Sequence, residues 1–316
     1  MCQSLSDLNE SEVLISIDQF IQSIYTQEVN TQQFKSDLNK LIPMFQKVYR
    51  SGLKYSTSLV VFQKMLNDLA ELFGAVTLNC VDELKDFQIR YLINNALCYA
   101  FNIKDELISF KLQEKRNQKS LSTYISQLTQ HYSKLLFIRI DLAIIKESQP
   151  IVDIQQFNHY LRLFLNRIQN QDTCFQDLQG YAWAIEQGEQ KGYHCHVLLI
   201  YDGHKHQQDY GIGMRVGECW KNLTEDKGCF FLSNTPEYKK RFEQKGTLGI
   251  GMTHRNNPKQ VQNAINTAMY LVNPEKDNQY LRVKVKGMRT FGKGVYDVNW
   301  RRQYHRSTGT EMALES

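Results

Sequence analysis

The chain has 316 residues, 42% of them hydrophobic and 22% charged, with a formal net charge of +5. That composition suits a globular protein with one large or two medium domains. No apolar run approaches the roughly 20 residues a membrane helix needs. The most apolar stretch, Leu135 to Ile145, is interrupted by Arg139 and Asp141. The N-terminal MCQSLSDLNE lacks the basic start and apolar centre of a secretory signal. The expectation is a cytoplasmic protein with no membrane partner. Seven cysteines, an odd number with no C-x-x-C pair, argue against a disulfide framework and a zinc ribbon.

Taken in chain order, the first 110 residues read as helix. Ser11 is placed to cap a helix whose apolar residues Val13, Ile17, Phe20, Ile21 and Ile24 recur at three and four. Phe62, Met65, Leu66, Leu69, Leu72 and Phe73 repeat the pattern and stop at Gly74. The polar QEKRNQKS (113–120) reads either as a linker or as an exposed helical turn. Beyond it the pattern changes. LLFIRIDLAII (135–145) is rich in branched residues and reads as a strand, and Phe157, Leu161, Phe164, Leu165 and Ile168 follow at helix period. YAWAIEQ (181–187) and YHCHVLLIY (193–201) read as two strands joined by a short turn. A helix around Trp220, a short strand at 229–232 and a helix over 258–271, opened by Pro258, complete the series. The order predicts an α+β fold: helical residues 1–130, then residues 131–316 with a central antiparallel sheet covered by helices.

On a strand, residues i and i+2 share a face, so His194 and His196 point the same way, about 6–7 Å apart. The short turn brings Glu186 beside His194. Two imidazoles and a carboxylate on one sheet face fit Mn²⁺ or Mg²⁺ acting on a phosphate, with coordination positions left for substrate. His204 and His206, in the polar DGHKHQQD, read instead as solvated loop residues.

The spacing E-x₇-H-x-H across strand–turn–strand resembles the second motif of HUH endonucleases, with Cys195 in the middle place. GYHCHVLLIYDG, Trp220, MYLV, KDNQYLR and RTFGKG together resemble the replication proteins of inoviruses and their prophage relatives, the YagK/YfjJ C-terminal domain family. The resemblance spans roughly residues 130–300. It implies a metal-dependent, HUH-like DNA-nicking domain and a tyrosine nucleophile on a helix near the metal, which makes Tyr270 the candidate. Family members often carry a lysine three residues after that tyrosine. Here position 273 is Asn and the first lysine is Lys276. Tyr280 and Tyr296 are weaker candidates in or beside strand-like segments.

Residues 276–306 hold nine basic residues against two acids, so the rest of the chain sums to −2. Arg282, Lys284 and Lys286 alternate with Leu281, Val283 and Val285, which predicts one basic and one apolar strand face. Arg289 and Lys293 flank Phe291, a possible stacking ring. These five basic residues are candidate DNA contacts. The leading expectation is a rolling-circle replication initiator that nicks and rejoins single-stranded origin DNA, with host replication proteins as further partners. The alternatives are a non-catalytic DNA-binding or regulatory protein of the same fold and, third, a metal phosphohydrolase acting on a small ester.

Overall fold

The computed structural model describes residues 8–26, 29–74, 78–272 and 279–296. The chain opens with helices α1 (Glu10–Thr26) and α2 (Thr31–Val48), the two-residue strand β1 (Lys54–Tyr55), and helices α3 (Thr57–Phe73), α4 (Leu78–Asp82), α5 (Asp86–Leu97) and α6 (Ala100–His131). Gly74 closes α3 at φ 77°, the left-handed conformation that favours glycine. The polar segment 113–120 lies inside α6, which runs unbroken for 32 residues, so the helical alternative holds there and no linker forms.

The remaining elements are β2 (Lys134–Ile144), α7 (Ile154–Asn170), β3 (Leu178–Gly188), β4 (Gly192–Asp202), α8 (Asp209–Leu223), β5 (Gly228–Leu232), α9 (Pro236–Gln244), β6 (Gly251–His254), α10 (Pro258–Met269), β7 (Val283–Lys284) and β8 (Phe291–Lys293). The fold is α+β. Six strands form one antiparallel sheet in the order β5-β2-β4-β3-β8, and β6 pairs with β2 beside β5.

Each face of the sheet is apolar, so each needs a cover. On one face Leu136, Ile138, Val197 and Leu199 join Phe157 and Phe164 of α7 and Val216 and Trp220 of α8. Trp220 sits edge-on to both phenylalanines, and its indole N–H donates to the Ala143 carbonyl at 2.9 Å. The same apolar cluster continues without a break into α1, α2 and α3. The helices that open the chain and the sheet therefore share a core. On the opposite face Leu135, Phe137, Ala182, Ala184, Leu198 and Ile200 lie under Leu121, Tyr124, Ile125 and Leu128 of α6 and Ala264 and Ala268 of α10.

Among the described residues, strand β7 pairs only with β1, in a separate two-stranded ribbon. The alternating basic face expected over 281–286 does not form. Arg282 is 2% exposed and its Nε–H donates to Asp18 of α1 at 3.1 Å. Helix α1, not solvent, lies on that side of the segment, so the Arg282 charge is balanced internally. Lys284 is half-buried, and burial with Lys54 opposite holds its ammonium below the ordinary lysine range. Lys286 and Arg289 are exposed, while Lys293 is half-buried with its ammonium 4.7 Å from the Tyr124 ring centre.

Candidate metal centre

The β3–β4 hairpin sets the geometry. The chain turns through residues 189–191 and re-enters the sheet at Gly192, whose φ of 60° suits glycine. In that register Glu186 faces His194 and Ala184 faces His196. Glu186, His194 and His196 are all buried, with candidate ligand atoms within 4.8 Å of one another. His196 Nε2 lies 3.1 Å and His194 Nε2 3.5 Å from the same Glu186 Oε2, and the imidazole rings stand nearly perpendicular. Cys195, between them, points into the opposite face, where burial pushes its thiol well above the ordinary range.

The other ring nitrogens are occupied. His194 Nδ1 lies 3.1 Å from the Gly192 carbonyl oxygen. A carbonyl only accepts, so Nδ1 carries a proton, and Nε2 is the nitrogen left to act as a ligand. His196 Nδ1 lies 2.6 Å from Asp141 Oδ1, and Asp141 faces His196 across the β2–β4 ladder. A carboxylate behind a histidine fixes the ring and raises its basicity as a ligand. Burial alone would raise the Asp141 carboxyl, but the hydrogen bond and charge of His196, with Arg139 and Lys191, hold it below the usual range. Burial alone would lower His196, but the bonds to Asp141 and Glu186 and their charges raise it. Two anchored imidazoles and one carboxylate directed at a common point fit a divalent cation with three protein ligands and further positions open to substrate.

The family described as the YagK/YfjJ C-terminal domain matches residues 102–294, more than half of the 316. The chain belongs to the YagK/YfjJ C-terminal domain family. No curated protein and no solved structure matches the chain. The matched span holds the whole Glu–His–His group and Asp141, and it begins inside α6. Helices α1 to α5 precede it.

A cavity of about 560 Å³ opens onto the group, and Asp18, Gln19 and Gln22 of α1 form part of its wall with Lys191, Gln279 and Arg282. Tyr270 lies elsewhere. It caps the C-terminus of α10, is 61% exposed, and lines a second cavity of about 840 Å³ with Arg139, Asn263 and Asn266. Arg139 and Asp141 share the histidine-bearing face of β2, with Arg139 Nε 3.8 Å from Asp141 Oδ1. Lys276 lies outside the described residues. Tyr280 is buried and donates to Asp18 Oδ2 at 2.6 Å, and Tyr296 packs near His131. His204 bonds Ser133, and His206 lies 3.3 Å from Asp177 and edge-on to Tyr201. Among the described residues, no helix is long and apolar enough to cross a membrane.

The sequence reading missed Asp141, Asp18 and Arg139. Each carried the same signal, a charged residue set into an otherwise apolar strand or helix stripe.

Proposed function

We propose that the chain is a metal-dependent, HUH-type endonuclease and strand transferase that nicks and rejoins single-stranded DNA, acting as a rolling-circle-type replication initiator. The observation that carries this reading is the buried Glu186–His194–His196 group, with both imidazoles anchored at Nδ1, inside a domain of the YagK/YfjJ family. Mn²⁺ or Mg²⁺ bound there would polarise a scissile phosphate. Glu186 and the two Nε2 atoms are the ligands, and Asp141 holds His196 in its ligating tautomer.

Tyr270 is the proposed nucleophile. Its phenolic oxygen would bond to phosphorus as the bond from phosphorus to the 3′ oxygen breaks. The phenol proton goes to solvent, the 3′ oxygen leaves as a hydroxyl, and the 5′ phosphate stays on the tyrosine. Exposure of Tyr270 leaves room for a strand to approach. Arg139 lines the Tyr270 cavity with its Nε 3.8 Å from Asp141 Oδ1 and without a hydrogen bond among the described residues, and its guanidinium is the proposed contact for a backbone phosphate there. Lys286, Arg289 and Lys293 remain candidate DNA contacts. One observation favours the non-catalytic reading: Tyr270 and the histidines line different cavities.

Incubation with pooled single-stranded oligonucleotides and Mn²⁺, followed by denaturing electrophoresis, separates the two readings. The nicking account expects a covalent protein–DNA adduct that Tyr270→Phe abolishes while DNA binding survives. Tight binding with no adduct from any oligonucleotide would favour the non-catalytic protein, and an adduct persisting in Tyr270→Phe would move the nucleophile to another tyrosine.

A further inference from the structure

Helix α1 lies outside the family-matched residues, yet it is fastened to the hairpin that carries the histidines. Tyr193 donates to Glu10 at 2.8 Å, Gln187 donates to the Ser11 carbonyl at 3.3 Å, and Gln19 donates to Glu189 at 2.6 Å. About two helical turns on from Ser11 stands Asp18, at 0% exposure in the wall of the Glu186–His194–His196 cavity. Its two oxygens differ. Oδ2 accepts from the Tyr280 hydroxyl at 2.6 Å and from Arg282 Nε at 3.1 Å. Oδ1 is buried and has no hydrogen-bond partner among the described residues. Gln279 Oε1, in the wall of the same cavity, is buried and equally without one.

Buried oxygen acceptors without donors are rare and costly. Here two of them belong to residues that line one cavity with a carboxylate and two imidazoles. What these two oxygens lack is an N–H or O–H donor within hydrogen-bond reach. A divalent cation with three protein ligands keeps water on its open positions, and such water is a strong donor. We propose that α1 completes the metal centre: Asp18 Oδ1 and Gln279 Oε1 are positioning acceptors for the hydration shell of the cation held by Glu186, His194 and His196. The inference rests on the reading of those three residues as ligands and deepens it. It gives the helical region a role at the site and adds the Asp18 carboxylate to the negative field around the cation.

The test is Mn²⁺ titration of the full-length protein by calorimetry, with the thermal midpoint recorded for each variant. His194→Ala should abolish binding. Asp18→Asn and Gln279→Leu should each weaken Mn²⁺ binding about tenfold, the lower end of what loss of an outer-shell partner costs. Arg282→Met breaks the same ion pair from the other side but leaves both acceptors, so it should lower the midpoint and leave Mn²⁺ affinity unchanged or tighter. If Asp18→Asn fails to fold, Gln279→Leu decides the matter alone. Wild-type affinity in folded Asp18→Asn and Gln279→Leu, with binding lost in His194→Ala, would overturn the role of α1 and spare the ligand triad. A fall in Arg282→Met equal to that in Asp18→Asn would mark the effect as structural and overturn it as well. Unchanged binding in His194→Ala would overturn both.

Discussion

At His196 the two ring nitrogens face two different carboxylates, Asp141 at 2.6 Å and Glu186 at 3.1 Å. The first orients the ring and the second shares its proposed cation. Asp141→Asn keeps the shape but removes the charge, so Mn²⁺ affinity should fall about 10- to 100-fold with little loss of fold. Calorimetric titration checks this, and an unchanged affinity would remove Asp141 from the site. Glu10 gives a second residue-level test. Burial pushes its carboxyl up to about 7, against the hydrogen bonds from Tyr193 and Ile154 that lower it. Between the unfolded value of about 4.3 and about 7, the unfolded chain loses this proton while the folded chain keeps it. Stability therefore falls as pH rises through that window, by roughly 2–3 kcal/mol from pH 5 to pH 8. Glu10→Gln should lose most of that pH dependence in chemical denaturation, and identical slopes in both proteins would contradict the assignment. The shared face of His194 and His196 was legible from the period of two, and Glu186 from the short turn. Asp141 was not, because its partnership depends on the register between β2 and β4, strands about 50 residues apart in the chain.

Among elements, the segment around β7 teaches the most. Alternation of Arg282, Lys284 and Lys286 with apolar neighbours has the period of a half-exposed strand, and only two of those residues pair. Periodicity fixes which side chains share a side, but not whether that side meets water. Here it meets Asp18. Arg282→Ala should cost about 3–5 kcal/mol, because it leaves the Asp18 carboxylate buried without its counter-ion. Lys286→Ala and Arg289→Ala should each stay within about 0.5 kcal/mol of wild type. If the exposed pair contacts phosphates, the double variant Lys286→Ala/Arg289→Ala flattens the log–log salt dependence of DNA binding by up to about two units. Denaturant titration and binding at several salt concentrations check both halves, and a mild Arg282→Ala with a costly Lys286→Ala would reverse the account. The hairpin β3–β4 and α10 were legible as elements because each carries its own pattern and stop signals. Their tertiary neighbours were not.

Across the whole molecule, one apolar cluster runs from Val13 and Phe62 in the opening helices to Val197 and Trp220 around the sheet. The polar 113–120, which composition alone allowed as a linker, lies in the continuous helix α6 that joins the two regions. A fragment starting at residue 102, where the family match begins, would expose the sheet-side half of that cluster to water. It should be less stable than the full chain and prone to associate, as light scattering and thermal melts would show. A monomeric fragment with the full-length midpoint would contradict the shared core. The central claim is that Glu186, His194 and His196 hold a catalytic divalent cation, and anomalous diffraction from crystals grown with Mn²⁺ tests it most directly. The account predicts a manganese peak about 2.0–2.3 Å from both Nε2 atoms and a Glu186 oxygen. A saturating Mn²⁺ soak with no peak between those three side chains, or with the peak elsewhere, would contradict it.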